Sequence, residues 1–397
     1  MALRLIGTPL EQQDWDNTLR RESLTRDIYQ DFSGTFSDDK QALPNGIIAQ
    51  KKLTPGSTKG TQGIILNLSG EETVGREEQL GRSEDQETKE LDVFSNDVSH
   101  AVNTERYGLD AHSKEAYGIL ELVQPQISLY HKELKGKYIR EAFLERFSSN
   151  LLVAPTSLTQ RWNENIIIKG VTFAAQPAYD SNNTTYETQI TAAATAGSGG
   201  QWDVTFLNAL NHWITAIKKI EPMDNGRYIV TVPSRQSMFL KDPGAANSIA
   251  GLFKDSNVVS AATNAYKWYL GSYGVMDLYE DPRSAVVNVN GASLTSFYKG
   301  PGRQDDRYTA VGGTDYDVGM VHGKGGAVEA MHEIMHFEEE IQNFSKLVSV
   351  GGFVGYGMNR TVFDDIGAES DTSEINQNSA VILARTSLAA VTSLAAV

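Results

Sequence analysis

The 397-residue chain is 40% hydrophobic and 21% charged, enough apolar material to bury a core in two domains or one elaborate one. Its formal net charge of −15 is the wrong sign for gripping nucleic acid, and no Lys/Arg cluster is longer than pairs such as Lys51–Lys52 and Lys218–Lys219. The absence of Cys excludes disulfides, thiolate metal sites and cysteine nucleophiles, and fits folding in a reducing cytoplasm.

The opening "MALRLIGTPLEQQDWD" lacks the apolar run of a signal peptide. Trp15, Leu19, Ile28 and Phe32 recur at spacings that predict an amphipathic helix over Trp15–Phe32, with Arg20, Arg21 and Glu22 among its polar positions. "FSGTFSDDKQALPNG" breaks it, and Lys51–Lys59 reads as an extended linker through Pro55 and Gly56. The N-terminal region is therefore expected to be a helix on a lead, outside any core.

Gly63–Asn103 reads as a long β-hairpin, with Ile64, Ile65, Leu66 and Leu68 in a first strand and Leu91, Val93 and Val98 in a second run. The text between them is strongly acidic, hinged at Gly70, Gly75 and Gly81, and too polar to pack in its own core. Such a tip is either a solvated loop or a segment lying on another subunit.

A helical region follows from about Ser113 to Phe147, either kinked at Pro125 or restarted there. Ile127, Tyr130, Leu134 and Tyr138 form its apolar stripe; Lys132, Glu133, Lys135, Lys137, Arg140 and Glu141 occupy much of the remainder. Residues 150–200 are Thr-, Ala- and Gly-rich and end in "AAATAGSGG", expected to be a flexible turn. "QWDVTFLNALNHWITAIKKI" predicts a helix with Phe206, Leu210, Ile214 and Ile217 on one face, and "GRYIVTVP" a strand ending at Pro233. Short helix and strand signals alternate to about residue 300. "NFSKLVSVGGFVGYGMNRTVFDDIG" is strand-rich, and "SAVILAR" is a closing strand whose tail is too polar for a bilayer span. No repeat or heptad run is visible. The fold class expected is α+β.

One motif raises an enzymatic alternative. "MHEIMHFEEE" places His332, Glu333 and His336 in the spacing H-E-x-x-H, which on a helix would put two imidazoles on one face for zinc with the Glu as general base. The metzincin Gly and third His do not follow, and Glu369 lies beyond a Gly-rich strand region. Phe337, Ile341 and Phe344, interleaved with Glu338 and Glu340, suit a strand edge as well as a helix. "GPGRQDDR" and "GKGGA" do not match a P-loop, nothing links Ser, His and Asp as a triad, and Asp305–Asp306 and Asp364–Asp365 sit in polar turns.

The order of elements carries more. "RDIYQDFSG", the acidic hairpin "GEETVGREEQLGRSEDQETKELDVFSNDV", the long helix and "VGYGMNRTVFDD" together resemble the major capsid proteins of N4-like tailed phages, which have the HK97-like capsid fold. The H-E-x-x-H and the Ala/Thr segment at 192–200 stand apart from that pattern. The resemblance implies an N-arm at 1–60 and an E-loop at 61–103. It implies a peripheral domain at 104–200 with its spine helix at about 113–147, an axial domain at 201–319, and a return to the peripheral domain at 320–397.

It also implies self-assembly into hexamers and pentamers of an icosahedral shell around packaged DNA held non-specifically, in a virion built in the bacterial cytoplasm. Partners would be further copies and neighbouring capsomers, with portal, scaffold or decoration proteins beside them, and no cofactor, metal, catalytic residue or membrane. The intersubunit contacts expected are Trp15, Leu19, Ile28 and Phe32 from the N-arm and Glu71, Glu72, Arg76, Glu77, Arg82 and Glu84 from the hairpin tip. The alternatives are the zinc-dependent metallopeptidase and another virion structural protein.

Overall fold

The computed structural model describes residues 28–30, 32–35, 46–53, 57, 59–65, 88–105, 111–145, 162–178, 183–197, 200–218, 220–241, 268–298, 313–342, 347–361 and 378–385. After a 3-10 turn at Ile28–Gln30 come β1 (Ser33–Thr35), β2 (Ile48–Lys52), β3 (Lys59–Ile65), β4 (Thr88–Phe94) and β5 (Asn96–Glu105). Helix α1 (Ala111–Glu145) leads to β6 (Ile166–Ile168), α2 (Asn183–Ala196) and α3 (Val204–His212). Then follow β7 (Tyr228–Pro233), α4 (Ser234–Lys241), β8 (Tyr269–Tyr273), β9 (Met276–Asp281), β10 (Val286–Asn290) and β11 (Ser293–Phe297). The last strands are β12 (Thr314–His322), β13 (Ala327–Gln342), β14 (Leu347–Arg360) and β15 (Ser379–Arg385).

These strands make two large sheets. One has five strands in the order β1-β2-β13-β14-β5. The other has eight and runs β11-β10-β12-β7-β9-β8, with β15 pairing both β12 and β6. Alternate side chains of β15 enter separate apolar clusters: Val381 and Leu383 join the one that contains Phe143 of α1, Ala380, Ile382 and Ala384 the one built on α3. Ile166 and Ile168 divide from Ile167 in the same way. A strand covered on both faces needs a continuous apolar run, which is what "SAVILA" and "III" supply.

Helix α1 is continuous through Pro125. The expected stripe holds, with Ile127, Leu134 and Tyr138 buried and Tyr130 partly so. Several charges expected on its outer surface are buried as well: Lys132, Arg140 and Glu141.

Four expectations need correction. Residues 28–30 form a 3-10 turn and 33–35 a strand, so no helix runs to Phe32; Ile28 and Tyr29 belong to the chain's own core, and 15–27 lie outside the described residues. The supposed linker begins inside a strand: Lys51 and Lys52 end β2, which pairs in parallel with both β1 and β13. The Ala/Thr segment, expected to be a flexible turn, is helical to Ala196 as the end of α2, because Tyr186, Ile190, Ala193 and Ala194 fall at helical spacing on one buried face. Finally, α3 widens at Trp213–Ile217 into a π turn closed by Lys218 N donating to Trp213 O at 2.9 Å. That extra residue rotates the stripe, so Leu207, Leu210, Trp213 and Ile214 are buried while Ile217 faces out.

Candidate assembly elements and the H-E-x-x-H

The H-E-x-x-H lies inside strand β13, whose pairing with β14 shifts register between Met331 and Glu333 and again between Glu333 and His336. At ~3.3 Å per strand residue, i and i+4 lie roughly 13 Å apart before bulging, whereas one zinc needs both nitrogens within ~2.1 Å of it. The two imidazoles also have different surroundings. His332 Nε2 meets Asp97 Oδ1 at 2.8 Å, while His336 stacks on Phe353 with ring centroids 5.4 Å apart. No group of three or more His, Asp and Glu suited to a metal occurs among the described residues. The geometry gives the metallopeptidase alternative no support.

The hairpin is present but shifted: it begins four residues earlier than expected and ends at Phe94, and Val98, expected in its second run, lies in β5 of the five-stranded sheet. Strands β3 and β4 pair antiparallel from Lys59↔Phe94 to Ile65↔Thr88 as a separate two-stranded sheet. Its root is fixed by a small apolar cluster of Ala49, Leu53, Val93, Val328 and Ala330. Leu53 N donates to Met331 O at 2.8 Å, and the Lys59 ammonium lies 5.8 Å from the Phe94 ring centroid. At the corner where β4 passes through buried Ser95 into β5, the backbone presses on β14: a Cβ on Gly357 would lie 1.6 Å from Phe94 O. Only glycine allows that approach. Beyond the root, β3 and β4 have no further strand partner among the described residues. Glu71, Glu72, Arg76, Glu77, Arg82 and Glu84 lie outside the described residues, as do Trp15 and Leu19.

The other two expected contact residues are held at home. Ile28 is buried, and Phe32 packs edge-on against Tyr279 with centroids 5.2 Å apart. Between them Tyr29 is fully enclosed by Phe143, His322 and the Arg140 guanidinium, which lies 5.2 Å from its ring centroid.

Sequence reasoning missed a set of buried and half-buried polar clamps on α1 and its neighbours. Arg140 donates to both Asp281 oxygens at 2.7 Å and to Gly136 O at 2.7 Å. Arg360 Nη2 meets Glu164 at 2.6 Å and its Nη1 donates to Phe143 O at 3.1 Å, tying β14 to the end of α1. Lys135 Nζ lies 2.6 Å from Glu329, whose other oxygen accepts from Gln50 Nε2 at 3.1 Å, so β2, β13 and α1 meet at one carboxylate. Arg283 pairs with Glu133, and Ser296 donates to Glu145. Burial pushes the Glu145 carboxyl up, opposed by that hydroxyl. Burial also holds two imidazoles neutral, His131 down to about 4 and His322 down to about 3. Charged residues on a helix ordinarily signal a wet face. The only clue in the sequence is that Arg140 and Glu141 fall close to the stripe that ends in Tyr138.

No protein-family model and no curated protein matches the chain. Solved structures do. The chain is similar to the capsid of Ralstonia phage GP4, with 14% identity over 98% of both chains and a TM-score of 0.55. It is similar to the capsid of cyanophage Pam1, with 12% identity over 92% of this chain and 94% of that one and a TM-score of 0.59. A third likeness is to the capsid of Helicobacter pylori bacteriophage KHP30, with 11% identity over 91% of each chain and a TM-score of 0.56. At such identities the likeness speaks for architecture, and it spans nearly the whole chain. The fold is the HK97-like α+β capsid fold.

Proposed function

We propose that this chain is the major capsid protein of a tailed bacteriophage, of the N4-like kind, and that it assembles into hexamers and pentamers of an icosahedral shell around DNA. The observation that carries this reading is the end-to-end likeness to phage capsid chains. A rooted hairpin without further strand partners among the described residues supports it, because open strand edges invite pairing with another copy.

In this reading the E-loop lying over a neighbour is the part of 61–103 that precedes β5, which is held in the five-stranded sheet; α1 is the spine of the peripheral domain, and 201–319 forms most of the axial domain. Residues 1–60 act as an N-arm rooted by 28–35 and β2, and the five-stranded sheet serves the peripheral domain. Strands β6 and β15 join the axial domain's sheet, although the boundaries drawn from the sequence assign them elsewhere. Many weak contacts summed over a closed shell give a stable container without catalysis. A net charge of −15 disfavours tight DNA contact, which suits a container that must release its contents. Portal, scaffold or decoration proteins would be its other partners, in a virion built in the bacterial cytoplasm.

Expression of the full chain followed by size-exclusion chromatography and negative-stain imaging tests the reading. Capsomers or closed shells are expected; rings or tubes would indicate another virion component. A monomer at all concentrations would overturn it. Replacing residues 66–87 by a short turn is expected to leave a folded chain that no longer closes into shells.

A further inference from the structure

We propose that Tyr29 is the pin of an acid-released latch: segment 28–35 stays clamped where α1, β9 and β12 meet while His322 is neutral, and detaches when that imidazole takes up a proton. The proposal concerns the folded chain by itself and does not rest on shell assembly.

The geometry is that of a plug in a socket. Tyr29 is fully buried, stacked on Phe143 at 6.2 Å between centroids and edge-on to His322 at 5.3 Å. Its hydroxyl donates to the Met320 sulfur at 3.7 Å. Three residues on, Phe32 covers Tyr279, and its carbonyl accepts from Ile47 N at 2.6 Å. Releasing Tyr29 therefore frees β1 and weakens the attachment of the chain leading into β2.

His322 is the weak point of the socket. Its ring is fully buried, packs against Phe143 at 4.4 Å, and neither ring nitrogen has a hydrogen-bond partner among the described residues. Among the described residues, the charged groups that bear on it are Arg140 from α1 and Asp281 from the end of β9, and the Tyr29 phenol is a further titratable neighbour. Its register partners on β7 and β15, Ile229 and Ser379, are uncharged. Both Asp281 oxygens are already taken by Arg140, so an imidazolium would add a cation beside a guanidinium with no carboxylate to spare. Withdrawing Tyr29 opens the wall of the socket formed by the short segment 28–35, and lets water solvate the new charge.

The sign follows from linkage. Burial holds the imidazole at about 3 in the closed state, with the Asp281 charge raising it and Arg140 lowering it. In an open, hydrated socket it returns towards its ordinary ~6.5, so protons bind the open form. The opening constant then grows ~10-fold per pH unit below about 6.5, reaching ~100-fold by about pH 4.5.

Hydrogen exchange on the full-length chain tests this. After correction for intrinsic rates, the protection of the Ile47 amide should fall ~100-fold between neutral pH and about pH 4.5, while the Val230 amide within β7 stays protected. His322→Phe keeps a ring in place and removes the proton site, and should abolish the loss at Ile47. Protection at Ile47 that does not change with pH in the unaltered chain, or that falls together with Val230, overturns the latch. Should the variant not fold, titration of the His322 ring by NMR in the unaltered chain decides. A ring that titrates at its ordinary value with Tyr29 still in place also overturns it.

Discussion

Arg140 and Asp281 face each other as a two-pronged ion pair, both contacts 2.7 Å long and the side chains only 2% and 3% exposed. Helix α1 and the end of β9 are joined by that contact. Arg140→Met should cost ~3–5 kcal/mol, because the Asp281 carboxylate is left buried without its cation. Adding Asp281→Asn should recover most of the loss, since Asn can still accept from the Arg283 amide, now 3.0 Å from the carboxylate. Urea midpoints of the two variants check this; a double variant as unstable as the single one would refute the argument.

Gly357→Ala and Gly291→Ala should separate two kinds of glycine. At Gly357 the new methyl meets Phe94 O at 1.6 Å, so the β4–β5 corner must lift off β14, at a cost of ~1–3 kcal/mol or more. At Gly291 there is open space but a φ of +61°, so only the backbone conformation is penalised, by ~1 kcal/mol. Chemical denaturation should rank them in that order. In the proposed shell Gly357→Ala should also lower particle yield, because the hairpin loses its seat.

Acid should weaken the fold through His131. Its Nε2 donates to Gly352 O at 3.1 Å while Nδ1 is buried with no acceptor among the described residues, so a second proton finds no partner there. Burial, aided by nearby His100, lowers its pKa to about 4. The unfolded chain therefore takes the proton first: the stabilisation is full above about 6.5 and is lost as pH falls towards about 4, on the order of 3 kcal/mol. His131→Gln can keep the bond to Gly352. It should reduce the slope of stability against pH in that window by about one proton, as measured by denaturation at a series of pH values.

His332→Ala and His336→Ala should leave the metal content of the purified chain unchanged, with no stoichiometric zinc before or after. The His332–Asp97 contact is open on the Asp side, which is 73% exposed. Losing it should shift stability by no more than ~1 kcal/mol. Elemental analysis and thermal denaturation read both effects; a drop of one zinc per chain would revive the hydrolase.

What could be read in advance follows a physical line. Strands β7 and β15 were legible because buried runs such as "YIVTVP" and "SAVILAR" serve two apolar layers. The hairpin was legible because polar text separates two β-prone runs. Helix α2 was hidden by its threonines, which disfavour helix by propensity; here Thr188, Thr191 and Thr195 bond back to carbonyls three or four residues earlier, and Tyr186 anchors the helix through Asn163 O at 2.8 Å. Strand β2 was hidden because a parallel neighbour far along the chain makes it a strand, not its own pattern. The clamps of Arg140 and Arg360 were invisible for the same reason, since each depends on an acid more than a hundred residues away.

Strand β15 has a bearing on biosynthesis. It slots between β12 and β6, Val318 facing Leu383 on one side and Ile167 facing Ile382 on the other, and it is made after both. Until the ribosome has delivered Ser379–Arg385, two open ladders stay without their shared partner. A nascent chain is thus expected to lack the link between β12 and β6 until translation has supplied those seven residues.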